Sequence, residues 1–199
     1  MRVSYTRRSW FGSTAVLAAS APRVWAKADD QLAILGGKAV RDGRKFPTWP
    51  IVGEADAVGL LEVLRSGFWN RLNGTRVAQF ERRWSETVGA RHTLATSSGT
   101  TALFAALNAL GVGPGDEVIV PAYTFVATIN VVLLQHALPV FVDTDPKTFQ
   151  MDAGKVESCL SDRTACLLPA HIGGNMADLD TLLPLAAKRG LPLLEDACQ

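Results

Sequence analysis

Two carboxylates stand side by side at Glu195 and Asp196, directly after the apolar pair Leu193-Leu194. The stretch RGLPLLEDACQ reads as a turn, a short buried strand and an acid pair at the strand's C-terminal end. A carboxylate in that place is costly unless it meets a cation or strong donors. A protonated pyridine nitrogen would serve; so would a salt bridge or a metal ion. Upstream, TSSGTTAL puts Ser98, Gly99 and Thr100 at the start of an apolar helical stretch. A helix N-terminus offers unpaired N–H groups and a partial positive charge, a good setting for phosphate. Gly99 lets the backbone approach an anion, and Ser98 and Thr100 add hydroxyl donors. The same residues also make an ordinary helix cap. Between these stretches lies PAYTFVAT, with Tyr123 and Phe125 where a strand meets a helix. An aromatic there can stack on a flat ligand or fill the core. GxGxxG is absent, which weighs against a dinucleotide site.

The elements that must position these residues follow a regular order. EADAVGLLEVLRSG (54–67) has helical spacing and a glycine stop. VAQFERRWSETVG (77–89) puts Val77, Phe80, Trp84 and Val88 on one helical face. Then strand and helix alternate: strand HTLATSS, helix TTALFAALNALG, strand 118–120, helix TFVATINVVLLQHA and strand LPVFVDTD. Helix AGKVESCL, strand TACLLPAH, helix ADLDTLLPLAAKRG and strand LPLLED complete the series. The strands are continuous apolar runs, the mark of strands covered on both faces. The expected fold is α/β, three layers around a mainly parallel sheet. Ligands bind such sheets at the C-terminal strand ends. That rule gathers the residues 96–100, 121–125, 143–145, 170–171 and 195–199 at one site.

A phosphate cradle, an aromatic plate and an acid for a pyridinium nitrogen describe one ligand, pyridoxal 5'-phosphate. The stretch SGTTALFAALNALGVGPGDEVIVPAYTFVATINVVL, with LPVFVDTDPKTFQMD, HIGGNMADLDTL and GLPLLEDACQ, resembles the DegT/StrS-type aminotransferase family over residues 53–199. The resemblance implies a fold-type I large domain, here incomplete, and amino transfer from glutamate or glutamine to a keto-sugar, mostly nucleotide-linked, in a homodimer. It implies that Ser98, Gly99 and Thr100 bind the cofactor phosphate and that Phe125 stacks on the ring. Asp196 would meet the pyridine nitrogen, and Gln199 would lie near the ring hydroxyl. His171 matches a strand-end histidine of the family and is a candidate substrate contact. Glu195 is expected as a structural partner. HIGGNMAD departs from the family's usual aromatic before glycine. The family's Schiff-base lysine is expected beyond Gln199, so this chain carries no catalytic residue of its own and reads as an N-terminal fragment. Lys147, Lys155 and Lys188 are poorly placed to replace that lysine. Transamination and a dehydration variant both fit these residues. The alternative is a non-catalytic relative that binds the cofactor or a sugar as a sensor or interaction module; an unrelated nucleotide-binding α/β enzyme stands further off.

The 199 residues carry a formal net charge of +1. Residues 1–28 hold five basic residues and no acid; without them the balance is 15 basic to 19 acidic, a net of −4. A nucleic-acid protein would show a basic stripe, and none is visible. Arg7-Arg8, the apolar run Trp10–Ala21 and Ala26-x-Ala28 resemble a twin-arginine export signal. That run is too short to span a bilayer. The expected layout is a signal at 1–28, an irregular or helical segment at 29–75 and a partial cofactor-binding domain at 76–199, with the C-terminal small domain absent. A periplasmic destination is expected, with the cytoplasm as the alternative. Cys159, Cys166 and Cys198 form no disulfide framework. Cys166 reads as a small core residue, and a Cys159–Cys166 bridge and free thiols both remain open. His92, His136 and His171 are scattered, so no metal site is expected.

Overall fold

The computed structural model of the protein describes residues 31–41 and 43–198. The export signal expected at 1–28, and Gln199, lie outside the described residues. The chain divides between Arg65 and Ser66 into two compact units. The first holds a 3₁₀ turn, Ala33–Leu35, and helix α1, Glu54–Ser66, whose last residue lies across that division. None of the described residues of this unit is buried.

The second unit carries the alternating pattern. Helix α2 spans Arg76–Val88 and α3 spans Gly99–Ala109. Strand β1 (Glu117–Pro121), helix α4 (Val126–Leu134), strand β2 (Leu138–Val142) and helix α5 (Ala153–Cys159) follow. Strand β3 (Thr164–Leu167), a 3₁₀ turn (Ile172–Gly174) and helix α6 (Leu179–Arg189) complete it. The sheet is parallel, in the order β2-β1-β3. Val118, Ile119 and Val120 of the central strand are fully buried. Successive strand residues point to opposite faces, so each face receives its own core. Val118 and Val120 meet Leu103 and Leu107 of α3, Val131 and Val132 of α4, and Cys166. Ile119 packs in a second cluster with Val142, Val156 of α5, and Leu182 and Ala186 of α6. Two cores around one sheet make the three layers expected, and each fully buried Val or Leu contributes about 1.5–3 kcal/mol. Pro139 sits in the outer strand β2, where a residue without N–H is tolerated.

The helices end where their cap residues require. Asp152 caps α5 through the Gly154 N–H, and Asp178 caps α6 through the Thr181 N–H. Gly190 closes α6 with φ 67°, in the left-handed region that glycine adopts without strain.

Two of the expected strands differ. Residues 92–98 form no strand. A strand needs a neighbouring backbone, and the described sheet offers none to this segment. Side chains of α2 hold it instead: the Ala95 N–H donates to Glu81 at 2.8 Å, and Ser85 and Thr93 share a hydroxyl bond of 2.7 Å. The last segment, 191–196, runs parallel beside β3 but pairs only through two isolated bridges, Leu167 with Leu193 and Ala170 with Asp196. Cys159, Cys166 and Cys198 are free thiols. Among the described residues no helix is long and apolar enough to cross a membrane.

Candidate active site

The C-terminal ends of the strands and the N-terminus of α3 meet around a cavity of about 180 Å³. Gly99, Thr100, Phe125, His171 and Asp196 all line it, with Thr124 and Cys198 beside them. Five residues separated by up to 97 positions are therefore brought together. Ser98 stands one residue outside the lining. Its hydroxyl caps α3, accepting from the Thr101 N–H at 3.2 Å, while Thr101 Oγ1 accepts from the Ser98 N–H at 3.0 Å. The Ala102 N–H takes the Ser98 carbonyl. No acceptor among the described residues takes the N–H of Gly99 or Thr100, and both residues face the cavity. That is the donor arrangement an anion needs at a helix start.

Gly99 has a second reason to be glycine. A Cβ built on it would lie 2.8 Å from Cys198 Sγ. Phe125 ends the loop after β1 as the N-cap of α4, lines the same cavity, and is 67% exposed. A ring that open is not core filler; it offers the cavity an apolar face.

The acid pair separates as strand pleating requires. Asp196 is buried and lines the cavity. Its backbone is fixed to the stretch after β3: its N–H donates to Pro169 O at 2.9 Å, and its carbonyl accepts from the His171 N–H at 3.0 Å. Its carboxylate Oδ2 accepts from the Thr128 hydroxyl at 2.6 Å. The Cys198 thiol also bonds to this carboxylate, and its pKa is pushed up to about 11, first by that bond, then by burial and by the negative charge of Asp196. Glu195 instead reaches His171 Nε2 at 2.9 Å. His171 Nδ1 accepts from the Ala177 N–H at 3.1 Å, so the ring proton of the neutral form sits on Nε2 and donates to Glu195. Both ring nitrogens are thus engaged within the chain.

The strand-end rule had gathered Thr124 and Cys198 without giving them a role; Thr128, bonded to Asp196, is the residue that sequence reading passed over. Thr124 lies just ahead of the α4 N-cap and Thr128 in the first turn, and their hydroxyls meet at 2.8 Å. Among the described residues no lysine lines the cavity. Lys155 pairs with Asp143 and Asp152, and Lys188 with Glu157, all away from it.

A family model described as the DegT/DnrJ/EryC1/StrS aminotransferase family matches residues 50–199. The 3-amino-5-hydroxybenzoate synthase of Amycolatopsis mediterranei is 42% identical over 157 residues, covering 79% of this chain and 40% of the relative. The UDP-2-acetamido-2-deoxy-3-oxo-D-glucuronate aminotransferase of Pseudomonas aeruginosa is 42% identical over 141 residues, 71% of this chain and 39% of the relative. The crystal structure of NtdA from Bacillus subtilis with bound cofactor PMP superposes with a TM-score of 0.70 at 36% identity, over 79% of this chain and 38% of that one. The chain thus spans about two fifths of the length of the curated relatives it matches. On the family match and these identities, the chain belongs to the DegT/DnrJ/EryC1/StrS aminotransferase family.

Proposed function

We propose that the intact protein is a pyridoxal-phosphate-dependent aminotransferase that moves an amino group from glutamate or glutamine to a keto-sugar, nucleotide-linked, and works as a homodimer. One observation carries the cofactor assignment. A helix start with two uncommitted N–H groups, an exposed phenyl ring and a buried carboxylate face one cavity. The residues fit the group. The N–H groups of Gly99 and Thr100, with the α3 dipole, suit a phosphate dianion. Phe125 suits the face of an aromatic ring. Asp196 suits a protonated ring nitrogen, since a charged partner offsets the cost of burying its carboxylate. When bound, pyridoxal phosphate supplies the electron sink for amino-group chemistry. The chain's own residues anchor the phosphate, orient the ring and hold a proton at the ring nitrogen. Glu195 and the Ala177 N–H fix the orientation of His171 at the cavity wall. The P. aeruginosa relative, named as an aminotransferase of a UDP-linked oxo-sugar, supports the nucleotide-sugar acceptor.

The second, rival reading is a relative that binds the cofactor or a sugar without turning over. One experiment separates the two. The gene product is purified from its source cells, its intact mass is measured, and it is incubated with pyridoxal phosphate and ¹⁵N-labelled glutamine or glutamate. Conversion to ¹⁵N-pyridoxamine phosphate by a protein heavier than the 21.3 kDa of this chain supports the enzyme. Binding without conversion, at a mass near that of this chain, supports the second reading. We also propose export through the twin-arginine route, on the strength of Arg7-Arg8 and the run that follows. Replacing both arginines by lysine should then leave the protein in the cytoplasmic fraction; unchanged distribution overturns that proposal.

A further inference from the structure

The Asp196 carboxylate does not stand alone. Thr128 Oγ1 lies 2.6 Å from Asp196 Oδ2, and Thr124 Oγ1 lies 2.8 Å from Thr128 Oγ1. A hydroxyl has one proton to give. The Thr128 proton goes to the carboxylate, so Thr128 can only accept from Thr124. The chain of bonds therefore has one direction, from Thr124 to Thr128 to Asp196. A threonine inside a helix commonly returns its proton to the carbonyl one turn back. Thr128 instead gives it to a carboxylate 68 positions along the chain. Thr128 is fully buried, so water does not compete for that bond. The other donor to Asp196, the Cys198 thiol, is weak by comparison with a charged N–H.

We propose that Thr124 and Thr128 are positioning residues: their hydroxyl chain anchors Oδ2 of Asp196, fixes the carboxylate's rotation, and so orients the acid toward the ring nitrogen of the cofactor. This deepens the cofactor reading given above and rests on it. Neither threonine needs to touch the nitrogen; both act through the acid. The tether runs from α4 to the segment beside β3, so it also ties together two walls of the cavity. Loss of the Thr128 hydroxyl leaves Oδ2 buried without that donor, and the carboxylate is then free to turn.

The test uses the full chain and two probes, pyridoxamine 5'-phosphate and its carbocyclic analogue with C–H in place of the ring nitrogen. Pyridoxamine phosphate needs no lysine to bind. The chain should prefer the nitrogen-bearing probe, and Asp196→Asn should abolish the preference. Thr128→Val should cut the preference by roughly tenfold while affinity for the carbocycle stays unchanged. Thr128→Ser should restore it, and Thr124→Val should give a smaller loss. A merely structural role would weaken both probes together. If the unmodified chain prefers neither probe, the Asp196 assignment fails and the positioning role fails with it. If the chain shows the preference and Thr128→Val keeps it in full, the positioning role is overturned and the cofactor reading stands. A measurement without cofactor checks the tether itself. The Thr128 hydroxyl proton should be visible by NMR as a slowly exchanging resonance that Asp196→Asn removes; its absence from the unmodified chain overturns the hydroxyl chain.

Discussion

Gly99→Ala separates two demands made on one position. The residue lies in the first turn of α3 and its φ is outside the left-handed region, so the alanine backbone is allowed. Alanine in place of helical glycine stabilises by about 0.5–1 kcal/mol. The new methyl, however, would lie 2.8 Å from Cys198 Sγ. That is about 0.8 Å inside ordinary contact distance. Such overpacking costs about 1–3 kcal/mol. Cys198 is exposed and turns about a single side-chain bond, so the low end applies. The net expectation is a loss of up to about 0.5 kcal/mol, read as a shift in the urea midpoint. Cys198→Ala alone should be near neutral, and adding it to Gly99→Ala should recover the loss, a coupling of about 1 kcal/mol. Ligand binding should behave differently. The methyl stays at the mouth of the N–H cradle whether or not the sulfur is there. Titration with pyridoxamine phosphate should therefore show a roughly 10- to 100-fold loss in both the single and the double variant, the size of one charge-assisted hydrogen bond. If the double variant binds as tightly as the unmodified chain, displacement of Cys198 was the cause. If the single variant does so, Gly99 is not where the anion approaches.

Other outcomes follow from the same geometry. Asp196→Asn removes the main cause of the raised Cys198 pKa, so it should fall from about 11 toward 9.0. Alkylation of Cys198 by iodoacetamide at pH 8, followed by peptide mass, should then speed up by roughly 10- to 100-fold; equal rates would contradict the hydrogen bond. Phe125→Ala should weaken pyridoxamine phosphate binding several-fold while leaving the melting temperature unchanged, because the ring is largely exposed. Leu107→Ala should instead cost about 2–5 kcal/mol of stability, because that side chain is fully buried. The Ala95 N–H, and then the Arg71 guanidinium, hold the Glu81 carboxyl below its ordinary value of 4.5. A lowered carboxyl pKa stabilises the fold above 4.5, and that stabilisation is lost as pH falls through and below it. Glu81→Gln should flatten the acid limb of a stability-against-pH curve; an unchanged limb would show that the tether between α2 and residues 92–95 does not form.

Much of this arrangement was legible in the sequence because it rests on local signals. The uninterrupted VIV of β1 announced a strand covered on both sides, and Val118 and Ile119 do feed different cores. Cap residues and glycines bounded the helices to within a residue or two at most ends. The rule of strand ends gathered Gly99, Phe125, His171 and Asp196 before any coordinates did, and all four line the cavity. What stayed hidden depended on distant partners. HTLATSS has a strand's composition, yet composition does not reveal whether a backbone lies beside it. Thr128 looks like a neutral helix residue until a carboxylate 68 positions away is placed next to it. Whether Phe125 is plate or core filler is a question of exposure, which a lone aromatic cannot answer. The choice between Glu195 and Asp196 became physical only when the pleat turned one toward His171 and the other into the cavity.

The most direct measurement is a crystal structure of the full chain soaked with pyridoxamine 5'-phosphate. The expected result is phosphate oxygens within 2.7–3.2 Å of the Gly99 and Thr100 nitrogens. The ring should lie against Phe125, with its nitrogen on the Asp196 carboxylate. Density for the ligand elsewhere, or a ring whose nitrogen faces away from Asp196, would contradict the assignment of this cavity as a cofactor site.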